Sequence, residues 1–179
     1  LDEVVIKTRK KASARSYLSS QNVINVSSSE LLKAACCNLS ESFETNPSVD
    51  VSFPDAITGT RQIQMLGLAG PYVQITRELM PDVRAMSSIY GLSMTPGPWI
   101  ESIQLIKGAG SVVNGFESLT GQINVELKKP ERGDLLFLNG YTNNGGRIEL
   151  NGNIRHDVGE NVATGFLFHA KSLDAVHDK

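Results

Sequence analysis

The chain has 179 residues, 40% of them hydrophobic and 20% charged, and a formal net charge of −2. That length suits one ordinary domain or a domain with part of another, and the composition is rich enough to bury a core. The charge balance gives no reason to expect nucleic acid, and no apolar run reaches the roughly 18 residues that a membrane helix needs.

Residues 1–8, LDEVVIKT, join an acidic start to a β-branched run and read as a short extended segment or an N-terminal strand. Neither a basic n-region nor an apolar h-region opens the chain, so the numbering is expected to begin within mature protein. Residues 9–22 are basic and serine-rich, the composition of a flexible linker. Ile24, Asn25 and Val26 predict a brief strand, and the serines at 27 to 29 offer an N-cap for a helix over 30–37. Cys36 and Cys37 sit side by side on that segment. A disulfide between neighbours closes a strained minimal ring, so the pair reads as a small buried hydrophobe beside a partly exposed thiol. The alternative is a soft-metal contact, since two thiolates suit Cu(I) or Zn(II).

A second short helix or turn is predicted over 39–44, stopped at Asn46-Pro47. The loop PDAITGT separates an extended stretch at 49–53 from a strand at 62–66. The next strand, 72–79, sets Val73 and Ile75 on one face and Gln74 and Thr76 on the other, and is expected to share a sheet with 62–66. Residues 82–98 are irregular and rich in Met, Ser, Gly and Pro, a long connection of the kind that carries function more often than scaffold. A strand at 102–107 then leads into KGAGSVVNGFESLTGQINVE, residues 107–126. Gly108, Gly110, Gly115 and Gly121 allow tight turns there, with Gly108 and residues 115–121 flanking a strand that pairs with 123–127.

After Pro130 the period changes to two. Residues 134–141 read as a first strand, Ile148, Leu150 and Ile154 alternate with Arg147, Glu149, Asn151 and Asn153, and Val162, Phe166 and Phe168 alternate with Asn161, Gly165 and His169. Segments of about 10 residues with that period fit transmembrane barrel strands, and equally an antiparallel sheet with one wet face.

The order strand, Lys-Gly, Ser, Gly, Gly, Ile-Asn-Val, carried by Ile100, Ile103, Leu105, Lys107, Gly108, Ser111, Gly115, Gly121, Ile123, Asn124 and Val125, resembles the end of the plug domain of TonB-dependent outer-membrane receptors. Residues 2–8, DEVVIKT, resemble the TonB box of that family. The resemblance implies an α+β chain: a small mixed-sheet plug with short helices, then antiparallel strands of a truncated outer-membrane β-barrel. Its divisions would be a TonB-box-like segment at 1–8, a linker at 9–22, the plug at 23–130 and the first barrel strands at 131–179. It also implies a bacterial outer-membrane receptor importing a scarce nutrient, a metal chelate such as an iron-siderophore, with no enzymatic role and no cofactor. Asp2, Glu3, Val4, Val5 and Ile6 would add as a strand to the periplasmic domain of TonB. Where relatives carry DGVP this chain has Arg77-Glu78-Leu79-Met80-Pro81, so the ligand does not transfer from a typical siderophore receptor.

Ligand contact is expected in the loops at 54–60 and 77–94, through Arg77, Arg84, Tyr90 and Met94: guanidinium for anionic chelates, an aromatic face, and a soft sulfur. Arg61, Glu101, Lys107 and Glu117 are expected as polar contacts between plug and barrel wall. The runs at 7–11 and 128–132 read as solvated linkers. His156 and His169 are expected to face a lumen or an edge, and His177 follows them. No Ser-His-Asp order, H-E-x-x-H or C-x-x-C is present, and GAGSVVNG lacks the Gly-Lys-Ser/Thr of a phosphate loop. About 22 strands close a plugged barrel, so the late strands would leave edges open to self-association. Two alternatives stay open: a soluble periplasmic binding or interaction module of an envelope assembly, and an adhesion or structural β-protein.

Overall fold

The computed structural model describes residues 13–16, 22–31, 43, 49–55, 60–82, 84, 94–144, 146–159 and 162–173. Asp2 to Ile6, Cys36, Cys37, Tyr90 and His177 lie outside them.

The strands are β1 (Ser13–Ser16), β2 (Asn22–Ser27), β3 (Asp50–Asp55), β4 (Thr60–Met65), β5 (Leu68–Ala69), β6 (Val73–Arg77), β7 (Met80–Pro81), β8 (Ile100–Lys107), β9 (Gly121–Leu127), β10 (Leu136–Thr142), β11 (Arg147–Val158) and β12 (Val162–Leu173). They form three sheets. One has six strands in the order β1-β2-β8-β9-β6-β7, a second runs β3-β4-β5, and the terminal one runs β10-β11-β12. All pairings are antiparallel except β6 with β9.

The six-stranded sheet follows from its residues. Ile24 and Val26, Leu105 and Ile103, Ile123 and Val125, and Val73 and Ile75 stand in adjacent register. They form one apolar face, which packs with Leu31, Phe43, Val49, Ile63 and Met65 into the core. β8 and β9 sit at the centre, where Ile103, Leu105 and Ile123 are fully buried. The turn at Gly108 has φ 89°, in the left-handed region where glycine is least strained. It opens the link from β8 to its antiparallel partner β9, as the glycine spacing predicts.

Three expectations need correction. The strands at 62–66 and 72–79 do not share a sheet: β4 pairs with β3 and β5, while β6 pairs with β7 and β9. Periodicity shows which face of a strand is apolar but not which strand lies beside it, and β4 meets β6 face to face through the core. The stretch expected as a linker contains β1, which pairs with β2 from Ser13 to Ser16. Backbone hydrogen bonds suffice for an edge strand of polar residues. Pro54 and Asp55, read as loop, end β3. Helix is scarce among the described residues: α1 (Ser28–Leu31) begins where the serines predict a cap, and the remainder of that predicted helix lies outside them.

Candidate functional site

The terminal sheet carries an inverted polarity. Its registers line up Phe137, Asn153 and Leu167; Asn139, Asn151 and His169; and Tyr141, Glu149 and Lys171 on one face. The other face has Leu136, Ile154 and Phe166; Leu138, Gly152 and Phe168; and Gly140, Leu150 and Ala170. Asn151 is 1% exposed and Glu149 2%, whereas Leu150 between them is 48% exposed. Leu136, Leu138, Ile154 and Phe166 are exposed as well. A water-bounded sheet buries its apolar face; a barrel wall in lipid turns that face outward and keeps its polar one inside.

The buried polar face is partly paired within itself, while among the described residues Glu149 Oε2, Arg147 Nη2 and Asn153 Oδ1 have no hydrogen-bond partner. Arg147 Nε donates to Glu149 Oε1 at 2.6 Å, and Lys171 Nζ lies 3.7 Å from the same oxygen. His169 Nδ1 and Asn151 Oδ1 are 2.6 Å apart.

The six-stranded sheet meets this face through the ends of β8 and β9. A 3-10 turn, Gly97–Trp99, precedes β8. Its Trp99 donates from Nε1 to the Phe168 carbonyl at 3.3 Å and stands edge-on to His169, with ring centroids 6.5 Å apart. Lys128 donates its backbone N–H to the Trp99 carbonyl at 2.9 Å and sets its ammonium 4.1 Å from the Phe137 ring centroid. Burial lowers the Lys128 pKa, against the opposing pull of Glu101 and Asp134. Lys128 is therefore not the solvated linker charge expected from its neighbours.

The second face of the six-stranded sheet is polar but not wet. Gln74, Thr76, Gln122 and Asn124 are all buried. Asn124 Oδ1 accepts from Thr76 Oγ1 and from the Leu79 N–H, both at 2.9 Å. The segment 108–120 folds back along it, pinned by Gly110 N–H to the Ser118 hydroxyl at 2.9 Å and by the Leu119 and Thr120 N–H groups to the Tyr72 carbonyl, each at 3.1 Å. Gly115, at φ 126°, gives its neighbours no room for a side chain: a Cβ there would lie 2.9 Å from Gln74 Nε2 and 3.0 Å from Arg84 Nη2. Gly115→Ala is expected to lose about 1 kcal/mol or more in urea unfolding of the full-length protein, while Gly140→Ala, whose Cβ meets nothing within 4 Å and whose φ is not positive, loses less.

The β6–β7 turn holds Glu78 at φ 53° and Leu79 at φ 64°, where glycine or asparagine is the usual choice. Each such residue is strained by roughly 1 kcal/mol or more, and the turn is clamped. The Glu78 N–H donates to the Val125 carbonyl at 3.0 Å, the Leu127 N–H donates to Glu78 Oε1 at 2.9 Å, and Lys129 Nζ lies 2.6 Å from that oxygen. Burial pushes the Glu78 pKa up, but the hydrogen bonds from Lys129 and Leu127 and the Lys129 charge outweigh it, and the net shift is down. A carboxylate with a depressed folded pKa stabilises the fold above its unfolded value, near 4.3, and that contribution is lost as pH falls through the folded value. Glu78→Gln is expected to cost about 1 kcal/mol at neutral pH, since the pair is partly solvated, and the gap to wild type should close in acid below about pH 4 in denaturant titrations.

Of the nominated ligand contacts, Arg77 Nη2 lies 2.7 Å from Asp82 Oδ2 and donates to Thr95 Oγ1 at 3.0 Å. Arg84 Nε donates to Glu117 Oε2 at 3.0 Å, so a nominated ligand contact and a nominated wall contact meet each other. Met94 is exposed. Lys107 ends β8 opposite Gly121, Arg61 lies on β4, and Glu101 acts on Lys128. The residues that touch the terminal sheet, Trp99, Lys128 and Pro130, were not nominated. A lone tryptophan after Pro-Gly-Pro was the signal available.

The six-stranded sheet thus packs against the polar face of a sheet whose apolar face is exposed. No protein-family profile matches the chain, and no curated protein matches it in sequence. Among solved structures, the pyoverdine outer membrane receptor FpvA from Pseudomonas aeruginosa is 17% identical over 89% of this chain and 23% of its own, with a TM-score of 0.72. The ferric-catecholate import receptor Fiu from E. coli is 17% identical over 87% and 22%, with a TM-score of 0.70. The copper transporter OprC is 16% identical over 92% and 26%, with a TM-score of 0.61. The chain thus spans about a quarter of the length of these structures, and its fold is that of TonB-dependent outer-membrane receptors.

Proposed function

We propose that this chain is the plug and first wall strands of a bacterial outer-membrane receptor that binds a scarce nutrient, a metal chelate such as an iron-siderophore, and imports it under the drive of the inner-membrane TonB complex. The observation that carries the reading is the inverted polarity of β10–β12, with Asn151 and Glu149 buried and Leu150 exposed. A soluble periplasmic module would need a second layer over that apolar face. In this reading further wall strands pair with the free edges of β10 and β12. Residues 2–6 leave the plug to add as a strand to TonB, and Arg77, Arg84, Tyr90 and Met94 contact the ligand. Arg77 and Arg84 are already held by carboxylates, so an anionic chelate would displace Asp82 and Glu117 from them.

The test expresses the full-length protein in receptor-deficient cells and follows accumulation of radioiron as catecholate and hydroxamate chelates, and of copper. Energised accumulation of one of these is expected in the outer-membrane-inserted protein, abolished by deleting residues 2–6 and weakened in affinity by Arg77→Ala with Arg84→Ala. A protein that stays out of the outer membrane, or uptake indifferent to the deletion, would overturn the assignment.

A further inference from the structure

A cavity of about 100 Å³ lies where the link from β9 to β10 meets β11 and β12. Lys128, Pro130 and Asp134 border it from the link, and Asn153, Arg155 and Leu167 from the terminal sheet. Its polar groups do not satisfy one another. Asn153 is 9% exposed, and its Oδ1 has no hydrogen-bond partner among the described residues. The Lys128 ammonium stands 4.1 Å from the Phe137 ring centroid, with Glu101 and Asp134 acting on it only through their charge. Arg155 closes Nε and Nη2 on the Asp157 carboxylate, each at 2.8 Å. Its Nη1 is left with one long contact among the described residues, 3.4 Å to the Gly133 carbonyl.

Two cationic donors thus share a small space with two acceptors, and the four together select an occupant. A cation is repelled by Lys128 and Arg155. A fully ionised anion is repelled by Asp134 and has no hydrogen to give, so it leaves a buried acceptor unpaired. An oxyanion that keeps a proton answers both: its charged oxygens accept from the cations, and its hydroxyl donates to a carboxylate or amide oxygen. We propose that this cavity binds a phosphate that keeps a proton, either inorganic phosphate or a phosphomonoester, with Lys128 and Arg155 as donors and Asn153 and Asp134 as acceptors. Arg155 offers Nη1 without releasing Asp157, and the partly buried Lys128 gains an anionic partner at contact distance. Phosphodiesters and sulfate carry no hydroxyl at neutral pH and are disfavoured by the same two acceptors. A bound phosphate bridges the link and the terminal sheet whatever the receptor imports, so the site stands or falls apart from the transport reading.

The experiment titrates inorganic phosphate, and sulfate at the same ionic strength, into the purified full-length protein in detergent at neutral pH, followed by calorimetry. One phosphate per chain is expected, bound roughly tenfold or more tightly than sulfate, since the hydroxyl adds a hydrogen bond to an otherwise unpaired acceptor. Lys128→Met keeps the stem over Phe137 and should weaken phosphate by about tenfold, with Lys128→Arg restoring part of the loss. Asp134 is exposed, so Asp134→Asn is expected to leave the fold intact. It should strengthen sulfate and narrow the preference for phosphate, as should Asn153→Leu. In vesicles, displacement of phosphate by glycerol 3-phosphate assigns the site to soluble monoesters, and occupancy by phosphatidic acid but not phosphatidylglycerol assigns it to a lipid headgroup; either supports a phosphate site. Equal affinity for phosphate and sulfate in the wild type would overturn the proposal, as would phosphate affinity indifferent to Lys128→Met in protein that keeps the gel shift of a folded barrel. Should that variant not fold, a phosphate preference unmoved by Asp134→Asn overturns it instead.

Discussion

Leu150→Arg is expected to destabilise the inserted full-length protein by about 2 to 4 kcal/mol, whereas the same substitution at an exposed residue of a soluble sheet would shift stability by no more than about 0.5 kcal/mol. Leu150 is exposed, flanked on its face by Gly140 and Ala170, one row from Ile148 and two rows from Ile154. If that face meets hydrocarbon, an arginine near the midplane costs about 2 to 4 kcal/mol, and the cost falls toward the interfaces. Placing arginine in turn at Ile148, Leu150, Ile154 and Val158 should therefore trace a depth profile with its maximum inside the series. Folding titrations into vesicles, read by the gel shift of folded against unfolded barrel, measure it. A flat profile near zero would mean that the apolar face is not a membrane surface.

The second large effect is expected on the opposite face. Glu149 is fully buried, with Arg147 Nε donating at 2.6 Å and the Lys171 ammonium 3.7 Å away. Removing one member of a buried ion pair leaves the other charge uncompensated and costs about 3 to 5 kcal/mol. Arg147 keeps limited solvent access and Lys171 more, so Glu149→Leu is expected near the lower end of that range in urea unfolding. Replacing Arg147 as well, by leucine, should recover most of the loss, because an apolar pair of similar volume is often no worse than the ion pair it replaces. A loss below about 1 kcal/mol for Glu149→Leu would mean that water reaches the site and that the face is not sealed against the plug.

Much of the fold was legible in the residues. The period-two alternation after Pro130 marked all three strands of the terminal sheet, because a strand with two different environments must alternate at its own period. Gly108 and Gly115 marked the link between β8 and β9, because a positive φ favours glycine over other residues, and Gly121 opens β9 where Met65 leaves no room for a side chain. Less visible was the seat of the plug. Trp99 gains its meaning from Phe168 and His169, some seventy residues away, and Lys128-Lys129-Pro130 reads as a solvated run until Phe137 and Gly165 are brought beneath it.

By itself the sequence determined most of the strands, though not β1, where the backbone must turn, and that each strand of the terminal sheet has one polar and one apolar face. Those follow from local rules of period two, β-branching and glycine freedom, each set within a few residues. Only the tertiary structure decided which face is inside. The alternation of Ile148, Glu149, Leu150 and Asn151 is the same in a soluble sheet and in a barrel wall, and the choice depends on what packs against it. The same holds for β4 and β6, equally apolar on one side yet lodged in different sheets. It holds too for Gln74, Thr76, Gln122 and Asn124, polar residues buried because the segment 108–120 folds back over them. Neighbours distant in sequence are selected by the free energy of the whole packed arrangement, which no local pattern encodes.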